Sequence, residues 1–130
     1  MKAVQFRIAR PTNQLEALIH FYHHGLGLPI IGRFSNHAGY DGVMLGLPAT
    51  QYHLEFTQFE EPTPLPPATK DNLLVCYFDN PQAYAEANQR LQQLQHQPVA
   101  PENPYWQGKS ETYEDPDGWR IVLFNGLYEA

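Results

Sequence analysis

The most constraining feature of the sequence is the segment Glu111 to Phe124, which reads ETYEDPDGWRIVLF. Two runs with the alternation typical of β-strands flank Asp115-Pro116-Asp117-Gly118. In such a turn proline presets φ, aspartate bonds its own backbone, and glycine takes a positive φ without steric cost. The segment therefore predicts a β-hairpin. A second Asp-Gly pair at Asp41-Gly42, again followed by an apolar run, suggests that the same unit occurs twice.

The remaining apolar patterns predict two βαβββ modules. In the first, alternation predicts strands at residues 3–9, 28–34, 42–46 and 52–58, and helical spacing predicts a helix at 13–24 capped by Thr12 or Asn13. In the second, we expect a strand at 73–78, a helix that begins at Asp79 or Asn80 with Pro81 in its first turn, and the hairpin at 109–125. Residues 60–70 contain four prolines and predict a linker.

Length and composition narrow the class of protein. At 130 residues the chain fits one domain, with module one at 1–59, the linker at 60–70 and module two at 71–130. A formal charge of -6 argues against nucleic acid, because binding a phosphate backbone requires a surplus of Lys and Arg. One cysteine, no signal-like N-terminus and no long apolar span predict a cytoplasmic protein without a membrane anchor.

Three stretches resemble the vicinal oxygen chelate superfamily, which holds glyoxalase I, extradiol dioxygenases and bleomycin-resistance proteins. They are FYHHGLGLP at Phe21 to Pro29, LEF at Leu54 to Phe56, and EDPDGWRIVLF at Glu114 to Phe124. The resemblance implies an α+β fold in which each βαβββ module curls its sheet into half of an incomplete barrel around a ligand-binding cleft. It also implies a homodimer, and exposed sheet edges give a physical reason for such pairing.

Metal-dependent members of this superfamily place His, Gln or Glu at four strand positions. Carried over to this chain, those positions fall on Ala3, Glu55, Asn72 and Val122. Alanine and valine cannot bind a metal and asparagine is a weak neutral ligand, so only Glu55 fits. A shift of two residues along each strand offers Gln5 and His53 but no ligand on the last strand. We therefore expect no cofactor, with a divalent metal as the alternative.

Glu55 admits two interpretations. In an apolar cleft it would serve as a general base or as an anion for a cationic ligand. Alternatively, it pairs with Arg7 or another polar group across the sheet, since a buried charge is seldom left unpaired. Arg7 and Gln5 share the cleft-facing side of the first strand. Arg7 also falls where glyoxalase-like members carry an arginine that binds a substrate carboxylate, a role that suits a planar guanidinium.

Aromatic residues and Cys76 are the next candidates. Tyr105 and Trp106 lie in a Pro-rich loop and are predicted to contact the ligand. Tyr52, Tyr113 and Trp119 are expected to pack in the core or an interface. Cys76 is expected to be a small buried hydrophobe.

Two polar clusters receive structural interpretations. His20, His23 and His24 have i, i+3, i+4 spacing, but no HExxH pattern accompanies them, so they are assigned to the exposed face of the first helix. Asp115 and Asp117 are assigned to the turn, with their carboxylates bonding backbone N–H groups.

Together these features predict a small-molecule-binding protein of the glyoxalase/bleomycin-resistance type without the usual metal centre. Its ligand would be cationic or aromatic. The alternative is a glyoxalase-like lyase or isomerase, or a dioxygenase-related enzyme, that uses Glu55 with a divalent metal or as a general base. A third interpretation is an interaction domain with an empty core. The predicted ligand contacts are Gln5, Arg7, His53, Glu55, Asn72, Tyr105 and Trp106.

Overall fold

A computed structural model describes residues 1–47 and 49–129 of the chain. The chain divides into two compact units, Met1–Pro66 and Pro67–Ala130, called here the N-terminal and C-terminal units. Residues 60–72 form no helix or strand. In the described part of the chain, no helix has both the length and the apolar character needed to cross a membrane.

The N-terminal unit is a four-stranded sheet. Its strands are β1 (Phe6–Pro11), β2 (Ile30–His37), β3 (Tyr40–Gly46) and β4 (Tyr52–Phe59). They lie in the order β1-β4-β3-β2, with β1 parallel to β4 and the other pairs antiparallel. The first strand begins three residues later than the sequence predicted. Phe6 is paired with Tyr52, where β4 begins, so the residues before Phe6 have no neighbouring strand in this sheet.

The predicted helix at 13–24 is present in two parts. The α-helix α1 spans Leu15–Ile19 and continues as a π-helical segment, His20–Gly25. The predicted side-chain cap by Thr12 or Asn13 is wrong, because Gln14 occupies the cap position without a capping side chain. Instead the Leu15 N–H donates to Oε1 of Gln58 on β4 at 2.9 Å. A sheet residue therefore satisfies one of the backbone donors that a helix start leaves open.

Helix α1 and the π-helical segment that follows it cover one face of the N-terminal sheet. The ring centroids of Tyr22 and Phe56 lie 4.7 Å apart, and Val43 and Leu45 of β3 are fully buried. Side chains alternate along a strand, so the neighbours of these residues point to the other side of the sheet. We call the side that holds Phe56 the helix face and the opposite side the helix-distal face.

The C-terminal unit repeats this topology with one strand fewer. It contains β5 (Leu73–Phe78), α2 (Pro81–Gln93), β6 (Ser110–Glu114) and β7 (Arg120–Asn125), with β5 parallel to β7 in the order β5-β7-β6. The expected additional strand is reduced to one bridge between Val99 and Thr112. Pro98 and Pro101 flank Val99, and proline cannot donate to a ladder.

Two local predictions for this unit are confirmed. The side chain of Asn80 accepts hydrogen bonds from the N–H groups of Gln82 and Ala83, and Pro81 opens α2. In the β6–β7 connection, Oδ1 of Asp115 accepts from the N–H groups of Asp117 at 2.9 Å and Trp119 at 3.0 Å. Gly118 has φ +89°, a conformation that glycine adopts at no steric cost. The predicted α+β fold class is likewise confirmed.

Helix α2 covers one face of the C-terminal sheet. The fully buried Tyr113 donates its hydroxyl to Oδ1 of Asn88 at 2.5 Å and accepts from Nε2 of Gln92 at 3.1 Å. Burial raises the pKa of the Tyr113 hydroxyl. Burial also raises the pKa of Tyr84, and the negative charge of Glu111 raises it further. Tyr113 thus has the packing role predicted for it.

Candidate functional site

Three polar side chains meet on the helix-distal face of the N-terminal sheet. Arg7 lies directly opposite His53 in the parallel β1–β4 pair, and Glu55 follows two residues later on the same face. Arg7 donates its Nε–H to Nε2 of His53 at 2.8 Å, and its Nη1 lies 3.3 Å from Oε2 of Glu55. Of the two interpretations of Glu55, the ion pair with Arg7 is the one present. We call Arg7, His53 and Glu55 the polar triad.

The geometry of the polar triad sets the tautomer of the imidazole. A guanidinium has only donors, so Nε2 of His53 must offer a lone pair and the ring proton lies on Nδ1. The His53 residue is 9% exposed, whereas the side chains of Arg7 and Glu55 are 47% and 15% exposed. Within the described residues, Nη2 of Arg7 has no hydrogen-bond partner. Arg7 therefore binds two partners and has further donors on a half-exposed side chain.

Three apolar side chains continue the helix-distal face away from the polar triad. Each lies against a glycine of a neighbouring strand. A Cβ atom at Gly42 would lie 2.2 Å from Cζ of Phe34, and one at Gly32 would lie 2.6 Å from Cε of Met44. A Cβ atom at Gly46 would lie 3.0 Å from Cγ2 of Ile31. These glycines allow Ile31, Met44 and Phe34, called here the apolar row, to lie flat on the sheet.

Sequence reasoning missed the apolar row. Glycine inside a strand often marks the close approach of another group. Gly32, Gly42 and Gly46 carried that signal, but the sequence did not show which side chains approach them. Phe34 reaches Gly42 because β2 and β3 pair those two residues directly. The register of the sheet is thus the missing information.

Two predicted ligand contacts lie outside the strands. Gln5 precedes β1 and Asn72 precedes β5, and both residues are exposed. The prediction that Gln5 shares the first strand with Arg7 is therefore wrong, because that strand begins at Phe6. Of the other positions carried over from metal-dependent relatives, Ala3 also precedes β1 and Val122 is fully buried in β7.

Tyr105 and Trp106 belong to an aromatic cluster of the C-terminal unit. They lie in the 3-10 turn Pro104–Trp106, with ring centroids 4.9 Å apart. The ring centroids of Trp106 and Phe124 of β7 are 6.0 Å apart, and those of Phe124 and Tyr77 of β5 are 5.5 Å apart. Phe124 and Tyr77 are paired across β5 and β7. The structure brings Tyr105 and Trp106 together, and their contact with a ligand stays a prediction.

The histidines of the first helix form a separate cluster. The rings of His20 and His24 are 5.4 Å apart, and those of His23 and His24 are 5.0 Å apart. Nδ1 of His23 lies 2.7 Å from the carbonyl oxygen of Leu28, so that nitrogen carries the proton. His20 and His24 are exposed, as predicted, whereas His23 is half-buried. Among residues 1–47 and 49–129, no three His, Cys, Asp or Glu side chains could hold a metal ion.

The polar triad does not fit the usual metal centre of the superfamily. His53 and Glu55 are residue types that bind metal ions, but both are hydrogen-bonded to the permanently charged guanidinium of Arg7. A second cation at that place would be repelled by the first.

Cys76 belongs to the helix side of the C-terminal sheet. It alternates with Tyr77 on β5 and pairs with Leu123, which is fully buried. Burial raises the pKa of the Cys76 thiol to about 11. A thiol with so high a pKa is a poor nucleophile at neutral pH. These features agree with the packing role that the sequence predicted.

A depression of about 260 Å³ lies near the start of α1 and the β2–β3 hairpin, and it shares Phe34 with the apolar row. Glu16 and Arg33, which form an ion pair, both line it. None of the predicted site residues lines it. Its lining consists of Leu15, Glu16, Arg33, Phe34, Ser35, Asn36, Gly39, Asp41, Gln58, Phe59 and Glu60.

Comparisons with known proteins identify the family. Residues 6–57 match the YycE-like N-terminal domain, and residues 71–125 match the YycE-like C-terminal domain. The protein YycE of Bacillus subtilis (strain 168) is 52% identical over 124 residues, which cover 95% of this chain and 89% of YycE. The crystal structure of a YycE protein of unknown function from Bacillus subtilis has a TM-score of 0.93 and 50% identity, covering 100% of this chain and 95% of that chain.

More distant structures share the fold. The fosfomycin resistance protein FosX from Mesorhizobium loti has a TM-score of 0.72 and 11% identity, covering 98% of this chain and 94% of its own. TnmS3, an antibiotic binding protein from Streptomyces sp. CB03234, has a TM-score of 0.69 and 21% identity, covering 98% of both chains. At such identities the likeness shows the fold alone. The predicted resemblance is confirmed, and the chain belongs to the YycE-like family within the vicinal oxygen chelate superfamily.

Proposed function

We propose that this protein binds a small organic molecule on the helix-distal face of its N-terminal unit, without a metal centre. The observation that carries the proposal is the continuity of the polar triad with the apolar row. Met44 is paired with Glu55 across β3 and β4, and Gly46 is paired with His53. A ligand that contacts Met44 or Ile31 would therefore place its polar group near Arg7.

The chemistry of this face favours an aromatic ligand with a hydrogen-bonding group. Phe34 and Met44 offer an aromatic ring and a polarizable thioether, both of which form favourable contacts with aromatic rings. The charges of Arg7 and Glu55 offset each other, so the site has no strong net charge of its own. A cationic group on the ligand would still be favoured by the formal charge of -6 on the whole chain.

Binding without catalysis by His53 agrees with the state of the polar triad. A general base needs an accessible lone pair, and Arg7 engages the lone pair on Nε2 of His53. The fold accommodates such a role, since TnmS3 is an antibiotic binding protein. We propose that Arg7 orients the ligand through the donors on Nη2.

A thermal-shift screen of the full chain tests the proposal. The panel contains aromatic amines, neutral aromatic alcohols and aliphatic amines, each at rising concentration. A ligand that binds only the native state adds about 2.7 kcal/mol of apparent stability at a concentration 100 times its Kd. We expect R7M and F34A to weaken the shift given by an aromatic hit.

The matched control is R33M. Arg33 also pairs with a glutamate, and its side chain is 46% exposed against 47% for Arg7. It is paired with Val43 of β3 and therefore belongs to the helix face. R33M should retain the ligand-induced shift. A panel without hits, or hits that R7M, F34A and R33M bind equally well, would contradict the proposal.

We also propose that the protein is a cytoplasmic homodimer. β1 and β5 each lie at the edge of their sheet, and Phe6 and Tyr52 expose 53% and 58% of their surface. An exposed strand edge favours pairing with another chain. The single Cys76 gives no internal disulfide and suits a reducing compartment. Light scattering after gel filtration should give twice the mass of one chain, and the mass of a single chain would contradict the dimer.

A further inference from the structure

The polar triad has the arrangement of a cation and its ligands. Nε2 of His53 and Oε2 of Glu55 both point at one guanidinium, at 2.8 Å from Nε and 3.3 Å from Nη1. An imidazole nitrogen with a lone pair and a carboxylate oxygen are also the donors that a zinc ion binds. Here both donors are directed at the side chain of Arg7.

We propose that Arg7 takes the place of a metal ion in the N-terminal unit and that this one residue keeps His53 and Glu55 from binding one. The inference uses the location of the proposed ligand site but concerns the cation within it. The remaining residues would hold a metal once the guanidinium is replaced by a neutral ligand.

The sheet register supports this claim. Residue 7 lies directly opposite residue 53 on the neighbouring strand, and residue 55 follows two positions along β4 on the same face. A ligand at position 7 would therefore form a triangle with the side chains of His53 and Glu55. Three protein ligands with one open position are enough for a zinc site. The substitution R7H supplies the missing neutral ligand and removes the competing charge together.

Zinc binding by R7H and R7M tests the proposal. R7M removes the guanidinium without adding a ligand that zinc favours, and it retains the His20, His23 and His24 cluster. Both variants are titrated with Zn²⁺ by calorimetry, and their melting temperatures are measured with and without the metal. We expect R7H to bind one more equivalent of Zn²⁺ than R7M. The additional equivalent should disappear in R7H/H53A and R7H/E55A.

Melting temperatures keep the test informative if R7H is less stable than the wild type. Zinc that binds only the native state raises the melting temperature of a destabilised variant. R7E offers a second route, because its new carboxylate faces Glu55, and Zn²⁺ should raise the melting temperature of R7E more than that of R7M. Equal zinc stoichiometry and equal thermal shifts for R7H, R7E and R7M would overturn the proposal.

Wild-type protein provides a further decisive measurement. The proposal would also be overturned if the wild type binds Zn²⁺ stoichiometrically and this binding is lost in H53A or E55A but kept in H20A, since the metal would then displace Arg7. The proposed function fails on a different result, namely the lack of any organic ligand for the wild type. The two outcomes are independent because one uses zinc and Arg7 variants and the other uses organic compounds.

Discussion

Arg7 and His53 face each other across the parallel β1–β4 pair, with Nε of the guanidinium 2.8 Å from Nε2 of the imidazole. A guanidinium only donates, so His53 is held as the tautomer with its proton on Nδ1. This contact connects the first strand of the N-terminal unit to its last strand through side chains as well as backbone.

The tautomer of His53 is the first prediction. Nitrogen NMR of the wild type should show Nε2 of His53 unprotonated and Nδ1 protonated. His23 is an internal reference, because its Nδ1 donates to the carbonyl oxygen of Leu28 and so also carries the proton. R7M should remove the constraint on His53 and leave the His23 signal unchanged. A proton on Nε2 of His53 in the wild type would contradict the hydrogen bond.

The second prediction concerns Gly42 and the ring of Phe34. A Cβ at position 42 would lie 2.2 Å from Cζ of Phe34, so G42A must displace the ring. We expect G42A to lower the free energy of unfolding by about 1 to 3 kcal/mol, as overpacking usually does.

In an F34A background the sign should reverse. The clash is then absent, and replacing a strand glycine by alanine stabilises by roughly 0.5–1 kcal/mol through backbone entropy. Urea unfolding of the four proteins in this double-mutant cycle provides the measurement. Equal effects of G42A in both backgrounds would show that the ring does not lie on Gly42.

The third prediction concerns Asp115, which is 4% exposed. Its Oδ1 accepts from two backbone N–H groups of the turn, those of Asp117 and Trp119. D115A should cost roughly 2 kcal/mol in unfolding free energy, since it leaves both donors without this acceptor. D115N keeps an oxygen at that place and should cost less than half as much. Thermal or urea unfolding separates the variants, and equal losses would contradict the bonding.

The fourth prediction concerns pH and Cys76. Burial raises the pKa of this thiol from 9.0 to about 11, so the folded protein favours the neutral form. The resulting stabilisation is fully present below pH 9.0 and is lost as the pH rises towards 11. We expect the difference in unfolding free energy between wild type and C76A to shrink over this interval.

The C76A comparison cancels other alkaline effects. Tyr84 and Tyr113 also have raised pKa values, but both proteins contain them. Urea unfolding at pH 8 and at several values between pH 9 and 11 provides the measurement. A difference that does not change with pH would show that Cys76 is not held as a thiol by burial.

Local patterns in the sequence predicted much of the fold. The Asp115 turn and the Asn80 cap with Pro81 were found because each depends on residues within a few positions of one another. The strand at Leu73–Phe78 matched its predicted bounds for the same reason. Elements that depend on a distant partner were placed less well. Strand β1 begins where β4 begins, and the start of α1 is bonded by Gln58.

The candidate site shows the same division. The sequence identified Arg7, His53 and Glu55 as site residues and offered the pairing of Glu55 with Arg7 as one interpretation. It did not show that a single guanidinium binds both partners, because Arg7 and His53 are 46 positions apart in the chain. The apolar row was missed because a glycine in a strand does not identify the side chain that lies on it.

The sequence by itself determined the α+β class, the two related halves and the types of residue available for chemistry. Turn propensity, strand alternation and helix capping are local properties, so they can be recognised in one chain. Only the tertiary structure decided which of those residues meet. The parallel register of β1 and β4 places a permanent cation between an imidazole and a carboxylate. Contacts of this kind depend on how strands align in space, which local sequence does not specify.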